Sequence, residues 1–400
     1  MKTVFFHPSF GDLGGAELLA ATQATYLKGQ AWDVSLVTFG FREEVWRNKL
    51  MDIPVDVVPR RHWTDLFRGR LEKWKGRAHR AEPFLARAET VLAHNPPAAA
   101  MLGHMAIKGL RVWYCHEAPW RLHPESVDYD LLQCPGSSEA LQALRRRILE
   151  RAKRDRALAE WDWAGVARLD RIIANSGFCR DNLQRIYGRS DIQVIPPIVA
   201  FDEHSHRPGL DRGAPQILTL ARLEALKNVG TVLRGFARFA SDVPRARLHV
   251  VGDGHARPSL TRLARELGVE DRVHFHGYLD PCRDRAKLDE VFQTCDVFAL
   301  LPIDESFGLV FAEAAARGLL LVGPDRGGPP EILEGGRLGW TLPCQEPEAF
   351  TQALHEIWHL TDEDAALRRR ETERSCRARY SVETVGPRLE AALRPLMPHS

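Results

Sequence analysis

Two successive series of short apolar runs, separated by amphipathic stretches, restrict the folds that this 400-residue chain can adopt. The first series predicts strands near residues 2–7, 32–39, 53–58, 90–94, 111–115 and 171–175. The second series predicts strands near residues 217–221, 247–252, 273–276, 296–301 and 319–323. Helical stretches, such as residues 14–29, lie between several of these runs. Strands that alternate with helices form parallel sheets covered by helices, so we expect an α/β fold with two doubly wound, Rossmann-like domains.

The boundary between the two series is expected where prolines, glycines and charged residues cluster, at residues 201–216. We therefore predict an N-terminal domain over residues 1–200, a linker over 201–216 and a C-terminal domain over 217–380. For residues 381–400 we predict a C-terminal helix, and packing back on the N-terminal domain is one arrangement open to it. A chain of this length is long enough to form two hydrophobic cores.

Composition excludes several classes of protein. A hydrophobic content of 44%, a charged content of 27% and a net charge of +2 are ordinary for a soluble globular protein. The seven cysteines are scattered without a C-x-x-C pair, which favours reduced thiols over a disulfide framework or a zinc site. The apolar stretch 307–323 is interrupted by Glu313 and Arg317, so no membrane span is predicted. The first residues read as a strand, and we expect a cytoplasmic protein, with peripheral binding at the inner membrane face as an alternative.

The segment from Glu305 to Glu313 is the most informative local feature, and it reads E-S-F-G-L-V-F-A-E. Its pattern predicts a loop and then a buried helix capped by Ser306, with unpaired N–H groups at residues 307–309 that favour a phosphate. At about 1.5 Å per residue the two carboxylates would lie about 12 Å apart, which suits sugar hydroxyls at one end and ribose hydroxyls at the other. The alternative is a core helix in which Glu313 pairs with an arginine, and this segment alone leaves both interpretations open.

A second candidate anion site follows the first predicted strand, at Gly14-Gly15-Ala16-Glu17. Glycines here permit a tight turn and a close approach of the backbone, and the helix that follows offers its N-terminus to a phosphate. No Gly-Lys-Ser/Thr follows, so the turn is not a Walker loop. Many turns between a strand and a helix contain two glycines, so this turn alone indicates little.

Several segments together resemble one family. The 220–228 segment reads L-A-R-L-E-A-L-K-N and the 325–332 segment reads D-R-G-G-P-P-E-I. With the E-x7-E element at 305–313, these resemble the retaining GT-B glycosyltransferases of the large family that includes glycosyltransferase family four and glycosyl transferases group one. Ala221 stands where that family usually has glycine, and Leu226 where glutamate is common. The resemblance implies a GT-B fold, with two doubly wound domains facing a cleft.

The resemblance also implies roles for individual residues. The catalytic residues that it implies are His116, Arg222, Lys227 and Glu305. The donor-binding residues that it implies are Gly14, Gly15, Gly252, Tyr278, Phe307, Gly308, Leu309 and Glu313. In the family the histidine contacts the transferred sugar, the arginine and lysine hold the two phosphates, and backbone near Tyr278 meets the nucleobase. Glu305 is expected to orient the sugar and Glu313 the ribose. Without the resemblance, His116 could be an exposed histidine, and Arg222 and Lys227 solvated surface cations.

No metal and no other cofactor is expected, because two cations and a helix N-terminus can stabilise a diphosphate leaving group. The D-Y-D sequence at 128–130 matches a metal-binding D-x-D motif, but no predicted strand precedes it and we interpret it as chance. The basic stretch at 145–156, with Trp161 and Trp163 nearby, predicts a solvated helix face, and contact with anionic lipid is the alternative. Acidic residues dilute its charge, so nucleic acid is not an expected partner.

The resemblance, together with these observations, implies a retaining, metal-independent glycosyltransferase of cell-envelope polysaccharide biosynthesis. It would move a hexose from a UDP- or GDP-sugar to a glycan or lipid-linked acceptor. The Y-C-H-E sequence at 114–117 resembles mannosyltransferases more than starch-type synthases. A nucleotide-sugar epimerase of similar fold and a non-catalytic donor-binding subunit are the alternatives.

Overall fold

The computed structural model describes residues 1–11, 14–50, 52–59, 69–124, 139–201, 210, 212–281 and 283–395. The chain divides into two compact units. The first unit comprises Met1–Asp128, Arg145–Ile198 and Val382–Ser400, and the second comprises Tyr129–Leu144 and Val199–Ser381. Each unit has its own parallel sheet, so the α/β class with two doubly wound sheets is confirmed.

The first sheet has seven strands among the described residues: β1 (Lys2–His7), β2 (Asp33–Thr38), β3 (Val55–Val57), β4 (Thr90–His94), β5 (Leu110–Cys115), β6 (Arg171–Ala174) and β7 (Gln193–Val194). Their order is β3-β2-β1-β4-β5-β6-β7, and the chain reverses direction across the sheet between β1 and β4. In open α/β sheets such a switch point, at the carboxyl ends of the strands, is where ligands bind.

The helices that accompany the first sheet lie between its strands in the sequence. They are α1 (Gly15–Gly29), α2 (Glu43–Trp46), α3 (Arg70–Leu85), α4 (Ala98–Gly103), α5 (Glu139–Arg154), α6 (Arg156–Val166) and α7 (Gly177–Tyr187). Strand β4 is buried along its whole length, as expected for a parallel strand that helices cover on both faces.

The second sheet contains β8 (Gln216–Leu220), β9 (Arg247–Val251), β10 (Val273–Gly277), β11 (Val297–Ala299), β12 (Leu320–Pro324) and β13 (Trp340–Leu342). Their order is β10-β9-β8-β11-β12-β13, so its switch point lies between β8 and β11. The accompanying helices are α8 (Val229–Asp242), α9 (Arg257–Glu266), α10 (Arg285–Thr294), α11 (Leu309–Ala316), α12 (Pro329–Ile332), α13 (Pro347–Trp358) and α14 (Asp362–Tyr380).

Helix α8 illustrates how the sequence positions these layers. Val232, Phe236 and Phe239 recur at helical spacing and are fully or almost fully buried. Gly235 lies between them, and a Cβ atom there would stand 2.6 Å from the Pro347 carbonyl oxygen. Glycine at this position therefore permits the close packing of α8 against α13.

The chain returns to the first unit in its last helix, α15 (Val382–Leu393). Leu389 and Leu393 are buried in the same apolar cluster as residues of α1 and β2. The Tyr26 hydroxyl donates to the Glu390 carboxylate at 2.6 Å, and the Arg171 guanidinium donates to the Ala392 carbonyl at 2.6 Å. Helix α15 thus completes the core of the first unit.

The observed strands overlap every run predicted from the sequence, whereas β7 and β13 have no predicted counterpart. Both are only two or three residues long. No helix among the described residues is both long enough and apolar enough to cross a membrane.

Candidate functional site

The lysine and the first glutamate of the predicted site lie side by side at the switch point of the second sheet. Lys227 ends the short 3-10 turn that follows β8, and Glu305 lies in the loop that follows β11. Lys227 Nζ is 2.7 Å from Glu305 Oε2, and the side chains are 27% and 20% exposed. The sequence places these residues 78 positions apart, and only the strand order brings them together.

Backbone contacts fix the loop that carries Lys227. The Ile303 N–H donates to the Leu226 carbonyl at 2.8 Å. Asn228 adopts a left-handed conformation with φ of 53°, and its side-chain amide donates to the carbonyls of Leu301 and Cys344. The asparagine therefore joins the β8 loop to the loops that follow β11 and β13, and it holds Lys227 at the switch point.

Arg222 has a different environment from Lys227. Its side chain is 66% exposed, and its guanidinium lies 3.3 Å from the Glu224 carboxylate of the same loop. The structure therefore pairs the two predicted phosphate-binding cations with different carboxylates.

The helix after Glu305 begins later than predicted. Helix α11 starts at Leu309, and its N-cap is Gly308 with φ of 90°, so the expectation that Ser306 caps the helix is wrong. The estimate of about 12 Å between the two carboxylates loses its basis, because residues 305–308 are not helical. The left-handed turn at Gly308 separates the loop that holds Glu305 from the helix that holds Glu313.

The glycine pair of the 325–332 segment supports the Glu305 loop. Gly327 has φ of 77°, and the Gly328 N–H donates to the Glu305 carbonyl at 2.8 Å. A Cβ atom on Gly328 would lie 2.2 Å from the Ser306 carbonyl oxygen and 2.6 Å from the Phe307 Cα. The two loops are therefore in backbone contact, which requires glycine at this position. Phe307 is buried and packs edge-on against Tyr380 at 5.3 Å between ring centroids.

Glu313 lies in α11 among buried alanines and phenylalanine, and its own side chain is partly buried. Burial raises the pKa of the Glu313 carboxyl above its ordinary value, and the nearby Arg317 opposes that rise. The Arg317 guanidinium donates to the Glu313 main-chain carbonyl at 3.2 Å and lies 3.7 Å from the Asp289 carboxylate. Among the described residues no ion pair involves the Glu313 carboxylate, so the expected alternative of a Glu–Arg pair is not what the structure shows.

The glycine turn after β9 is in contact with the β8 loop. Gly252 has φ of 125°, and a Cβ atom there would lie 1.9 Å from the Ala221 carbonyl oxygen. The Leu223 N–H donates to the Asp253 carbonyl at 2.9 Å. Gly252 thus shapes the loop that contains Arg222, whereas Tyr278 lies just after β10 with 53% of its surface exposed.

In the first unit, Gly14 is the N-cap of α1 and Gly15 is its first residue. His7, at the end of β1, lies 3.9 Å from the Glu17 carboxylate of the same helix. The Ser9 N–H donates to His7 Nδ1 at 3.2 Å, and burial lowers the pKa of His7 to about 3. A neutral His7 therefore carries its proton on Nε2, which lies 3.2 Å from the Asn95 side-chain amide and 3.9 Å from the Glu17 carboxylate.

His116 follows β5 and is part of a histidine cluster that the sequence analysis missed. His116 Nε2 lies 2.8 Å from Nδ1 of His94, which ends the neighbouring strand β4. The Asn175 side-chain amide donates to the His116 main-chain carbonyl at 2.7 Å. Burial lowers the pKa of His116 to about 3 and the pKa of His94 well below its ordinary value. The available signal was that His7 and His94 end two predicted strands and that His116 directly follows a third.

Two sequence features have no described site. The D-Y-D at 128–130 lies outside the described residues, and the basic stretch falls on α5 and the start of α6. Within the ranges that the structure describes, no group of three or more His, Cys, Asp or Glu side chains could hold a metal ion.

Comparisons with known proteins show the family. The model of Glycosyltransferase Family 4 matches residues 13–203, and the model of Glycosyl transferases group 1 matches residues 200–374. The chain belongs to this glycosyltransferase family. The family predicted from the sequence motifs is therefore confirmed.

Solved structures show that this family member has the GT-B fold. Anabaena Alr3699/HepE in complex with UDP and glucose is 18% identical, with a TM-score of 0.74 over 98% of this chain and 99% of that protein. Sucrose-phosphate synthase from Thermosynechococcus elongatus is 16% identical, with a TM-score of 0.72 over 98% of each chain. At this identity the likeness shows the fold alone.

A curated relative is the D-inositol 3-phosphate glycosyltransferase of Streptomyces avermitilis, which is 31% identical over 212 residues. The match covers 48% of this glycosyltransferase family member and 45% of the relative. The chain thus spans about half the length of the curated relatives that it matches.

Proposed function

We propose that this protein is a retaining, metal-independent glycosyltransferase that moves a hexose from a nucleotide-sugar to a glycan or lipid-linked acceptor. The observation that carries the proposal is the Lys227–Glu305 pair at the switch point of the second sheet. A cation held against Glu305, four residues before the start of α11, suits a diphosphate that also contacts backbone N–H groups at that helix start.

The two cations would stabilise the leaving nucleotide diphosphate. Lys227 and the backbone at Phe307, Gly308 and Leu309 would stabilise the charge that develops as the bond to the sugar breaks. Arg222, exposed and paired with Glu224, would reach the second phosphate by leaving that surface pair. Exposed pairs are weak, so this exchange costs little.

The two carboxylates would bind hydroxyl groups of the nucleotide-sugar. Glu305 holds Lys227 with one oxygen and would orient the sugar with its remaining acceptor capacity. Glu313, partly buried without an ion pair in the described structure, would accept from the ribose hydroxyls. A carboxylate kept in an apolar helix with a raised pKa is typical of a binding site. His116, Gly14, Gly15, Gly252 and Tyr278 keep the roles that the family resemblance implies.

The proposed reaction needs no carboxylate nucleophile. The acceptor hydroxyl oxygen bonds to the anomeric carbon as the bond from that carbon to the phosphate oxygen breaks. The acceptor proton moves to the departing phosphate, and both reacting oxygens use the same face of the sugar, which retains its configuration. In this scheme the protein supplies charge and orientation.

The names of similar proteins guide the choice of substrate. Alr3699/HepE was solved with UDP-glucose as well as with UDP, which favours a UDP-sugar as the first donor to test. The Streptomyces relative is named for a phosphorylated inositol acceptor. A cytoplasmic location, a peripheral membrane contact and a role in cell-envelope polysaccharide biosynthesis are further parts of the proposal.

A donor screen tests the proposal. Purified protein is incubated with UDP-, GDP- and ADP-hexoses, with and without glycan or lipid-linked acceptors, and released nucleotide and sugar products are analysed by mass spectrometry and NMR. We expect release of nucleotide diphosphate from one donor, a product with the donor's anomeric configuration and full activity in EDTA. An epimerised donor would instead indicate an epimerase, and tight nucleotide-sugar binding without turnover would indicate a donor-binding subunit. Loss of activity in EDTA that Mn²⁺ restores would contradict the metal-free scheme.

A further inference from the structure

The imidazole rings of His94 and His116 face each other at the carboxyl ends of β4 and β5. His94 Nδ1 and His116 Nε2 are 2.8 Å apart, and their ring centroids are 5.1 Å apart. A hydrogen bond at this distance needs one donor and one acceptor, so one ring carries its proton at the shared contact and the other does not. The direction of this bond decides what His116 offers to a ligand.

The burial of His94 favours one direction. Its side chain is fully buried, and its Nε2 has no hydrogen-bond partner among the residues that the structure describes. If the His94 proton were on Nε2, a buried N–H donor would be left unpaired, which native structures strongly avoid. With the proton on Nδ1, His94 donates to His116, and only a lone pair remains unpaired.

The orientation of the His94 ring is restricted by its aromatic neighbours. Phe5 stacks on it at 5.4 Å with an interplanar angle of 12°, and Tyr114 stacks on it at 5.7 Å with an angle of 24°. The Tyr114 hydroxyl in turn donates to the Ile195 carbonyl at 2.7 Å. The His7 ring lies 6.2 Å from His94 between centroids, and His94 Nε2 makes no hydrogen bond to it. His94 can therefore change neither its tilt nor its partner without displacing core residues.

We propose that His94 is a positioning residue that donates from Nδ1 to His116 Nε2 and so fixes His116 in the tautomer with its proton on Nδ1. His116 then presents an N–H group, and not a lone pair, at its remaining nitrogen. This inference rests on the proposed function in one respect: the oxygen that accepts the hydrogen bond from the His116 N–H is a hydroxyl of the transferred sugar. The tautomer itself can be measured without any sugar.

The first test is the ¹⁵N NMR spectrum of the histidine side chains at neutral pH, with the His116 signals assigned by their absence in His116→Gln. We expect the Nδ1–H tautomer of His116 in the wild type, although free histidine side chains prefer Nε2–H. His94→Asn keeps an amide N–H near the position of Nδ1 and should preserve that tautomer. His94→Leu should shift His116 to Nε2–H. Leu92→Val, in the same buried strand, is the packing control and should change nothing.

The second test is a double-mutant cycle on donor turnover. If His94 acts only through His116, His94→Leu should lower kcat/KM about tenfold, the loss of one hydrogen bond, while His94→Asn restores most of it. The double variant His94→Leu/His116→Gln should be no slower than His116→Gln alone. Affinity for free nucleotide diphosphate should be unchanged in His94→Leu.

The outcomes separate this inference from the proposed function. An Nε2–H tautomer in the wild type, or an unchanged tautomer in His94→Leu, overturns the inference whether or not the protein transfers sugar. Additive losses in the double variant overturn it as well. The expected tautomers in a protein that turns over no nucleotide-sugar support the role of His94 and count against the proposed function.

Discussion

The ion pair between Lys227 and Glu305 makes a specific prediction about turnover. Removing the ammonium in Lys227→Ala should lower turnover about 10²–10³-fold, the usual effect of losing one preorganised charge stabiliser. It should also lower the free energy of unfolding by about 1–3 kcal/mol, because Glu305 is only 20% exposed and loses its partner. Arg222→Ala should cost about tenfold or less in turnover and nothing in stability, since Arg222 is 66% exposed.

The control for this prediction is the double variant Lys227→Met/Glu305→Gln. It removes both charges, so it should recover the stability lost in Lys227→Ala without recovering turnover. Steady-state kinetics and urea denaturation measure the two effects separately. Normal turnover in Lys227→Ala would show that the diphosphate binds elsewhere.

Glu313 makes a prediction about stability and pH. Burial raises its pKa in the folded protein above the ordinary 4.5, so the folded state favours the protonated carboxyl. The stability that this contributes is fully present below the unfolded pKa and is lost as pH rises through the folded pKa. Glu313→Gln removes that loss. The variant should therefore be more stable than wild type at neutral pH, and the gain should shrink towards the unfolded pKa.

Chemical denaturation of wild type and Glu313→Gln between pH 4 and pH 8 measures the difference in their free energies of unfolding. Titration with nucleotide diphosphate measures how much affinity the variant loses. We expect Glu313→Gln to bind about ten- to a hundredfold more weakly, because a carboxylate that accepts from ribose hydroxyls is replaced by a neutral amide. A variant that is less stable than wild type at pH 8 would indicate a structural ion pair at Glu313.

At this scale the sequence shows charges in unusual places but not their partners. Burying a carboxylate inside an apolar helix costs free energy unless the carboxylate has a partner. The sequence alone therefore indicates Glu313 as a candidate ligand-binding residue. The position of His94 at the end of a predicted strand is readable from the sequence, but its contact with His116 depends on the strand order. Ser306 was misjudged as a helix cap because Gly308, two residues later, adopts a left-handed conformation that tertiary contacts decide.

At the scale of elements, the contact between the Gly327-Gly328 turn and the Glu305 loop predicts an effect of one methyl group. In Gly328→Ala the new Cβ would lie 2.2 Å from the Ser306 carbonyl oxygen, and backbone cannot yield as a flexible side chain can. The Glu305 loop must move, so both binding of nucleotide diphosphate and thermal stability should fall. Calorimetry and thermal unfolding measure the two effects.

Gly230→Ala is the matched control in the same unit. Its Cβ would meet the flexible end of Arg234 at 3.2 Å, and the position is helical. Alanine there should leave binding unchanged and leave stability equal or higher by up to about 1 kcal/mol. Equal behaviour of the two variants would show that the turn does not position the Glu305 loop.

The elements themselves were largely predictable because buried parallel strands are continuous apolar runs of recognisable length. The start of α11 was not, since Gly308 is left-handed in a place where Pro329 and Phe311 pack around it. The contacts at Gly308 depend on how the Glu305 loop and the Gly327-Gly328 turn fold against each other, which a local sequence pattern does not show. Local pattern therefore gives the existence of an element more reliably than its first residue.

At the scale of the whole chain, α15 predicts a stability effect far from it in sequence. Leu389 is fully buried in the core that α1 and β2 also form, so Leu389→Ala should destabilise the first unit by about 2–5 kcal/mol. Of the nine tryptophans among the described residues, two lie in the second unit, Trp340 and Trp358. Tryptophan fluorescence during denaturation therefore reports mainly on the first unit.

The exposed Leu367 of α14 provides the control, because Leu367→Ala should leave that fluorescence transition unchanged. An unshifted transition in Leu389→Ala would contradict the role of α15 in the first core. If Leu389→Ala instead accelerated hydrogen exchange only in β8–β13, that result would also contradict the role of α15 in the first core.

The last prediction concerns which unit a nucleotide stabilises and which glutamate controls the effect. A ligand at 100 times its Kd raises the free energy of unfolding by about 2.7 kcal/mol, so UDP at that level should slow hydrogen exchange in the loops after β8 and β11 and in α11. Glu313→Ala, with affinity reduced at least tenfold, should retain about 1.4 kcal/mol or less at the same UDP concentration. Glu305→Ala should keep the full effect, because it removes no ribose contact and leaves the Lys227 ammonium in place for the phosphates. The same Glu305→Ala protein should nevertheless use nucleotide-sugar poorly, since the sugar loses its carboxylate.

Hydrogen-exchange mass spectrometry resolves these segments. Slowed exchange confined to β1–β7 would place the nucleotide in the first unit, and loss of UDP binding in Glu305→Ala alone would reverse the roles of the two glutamates.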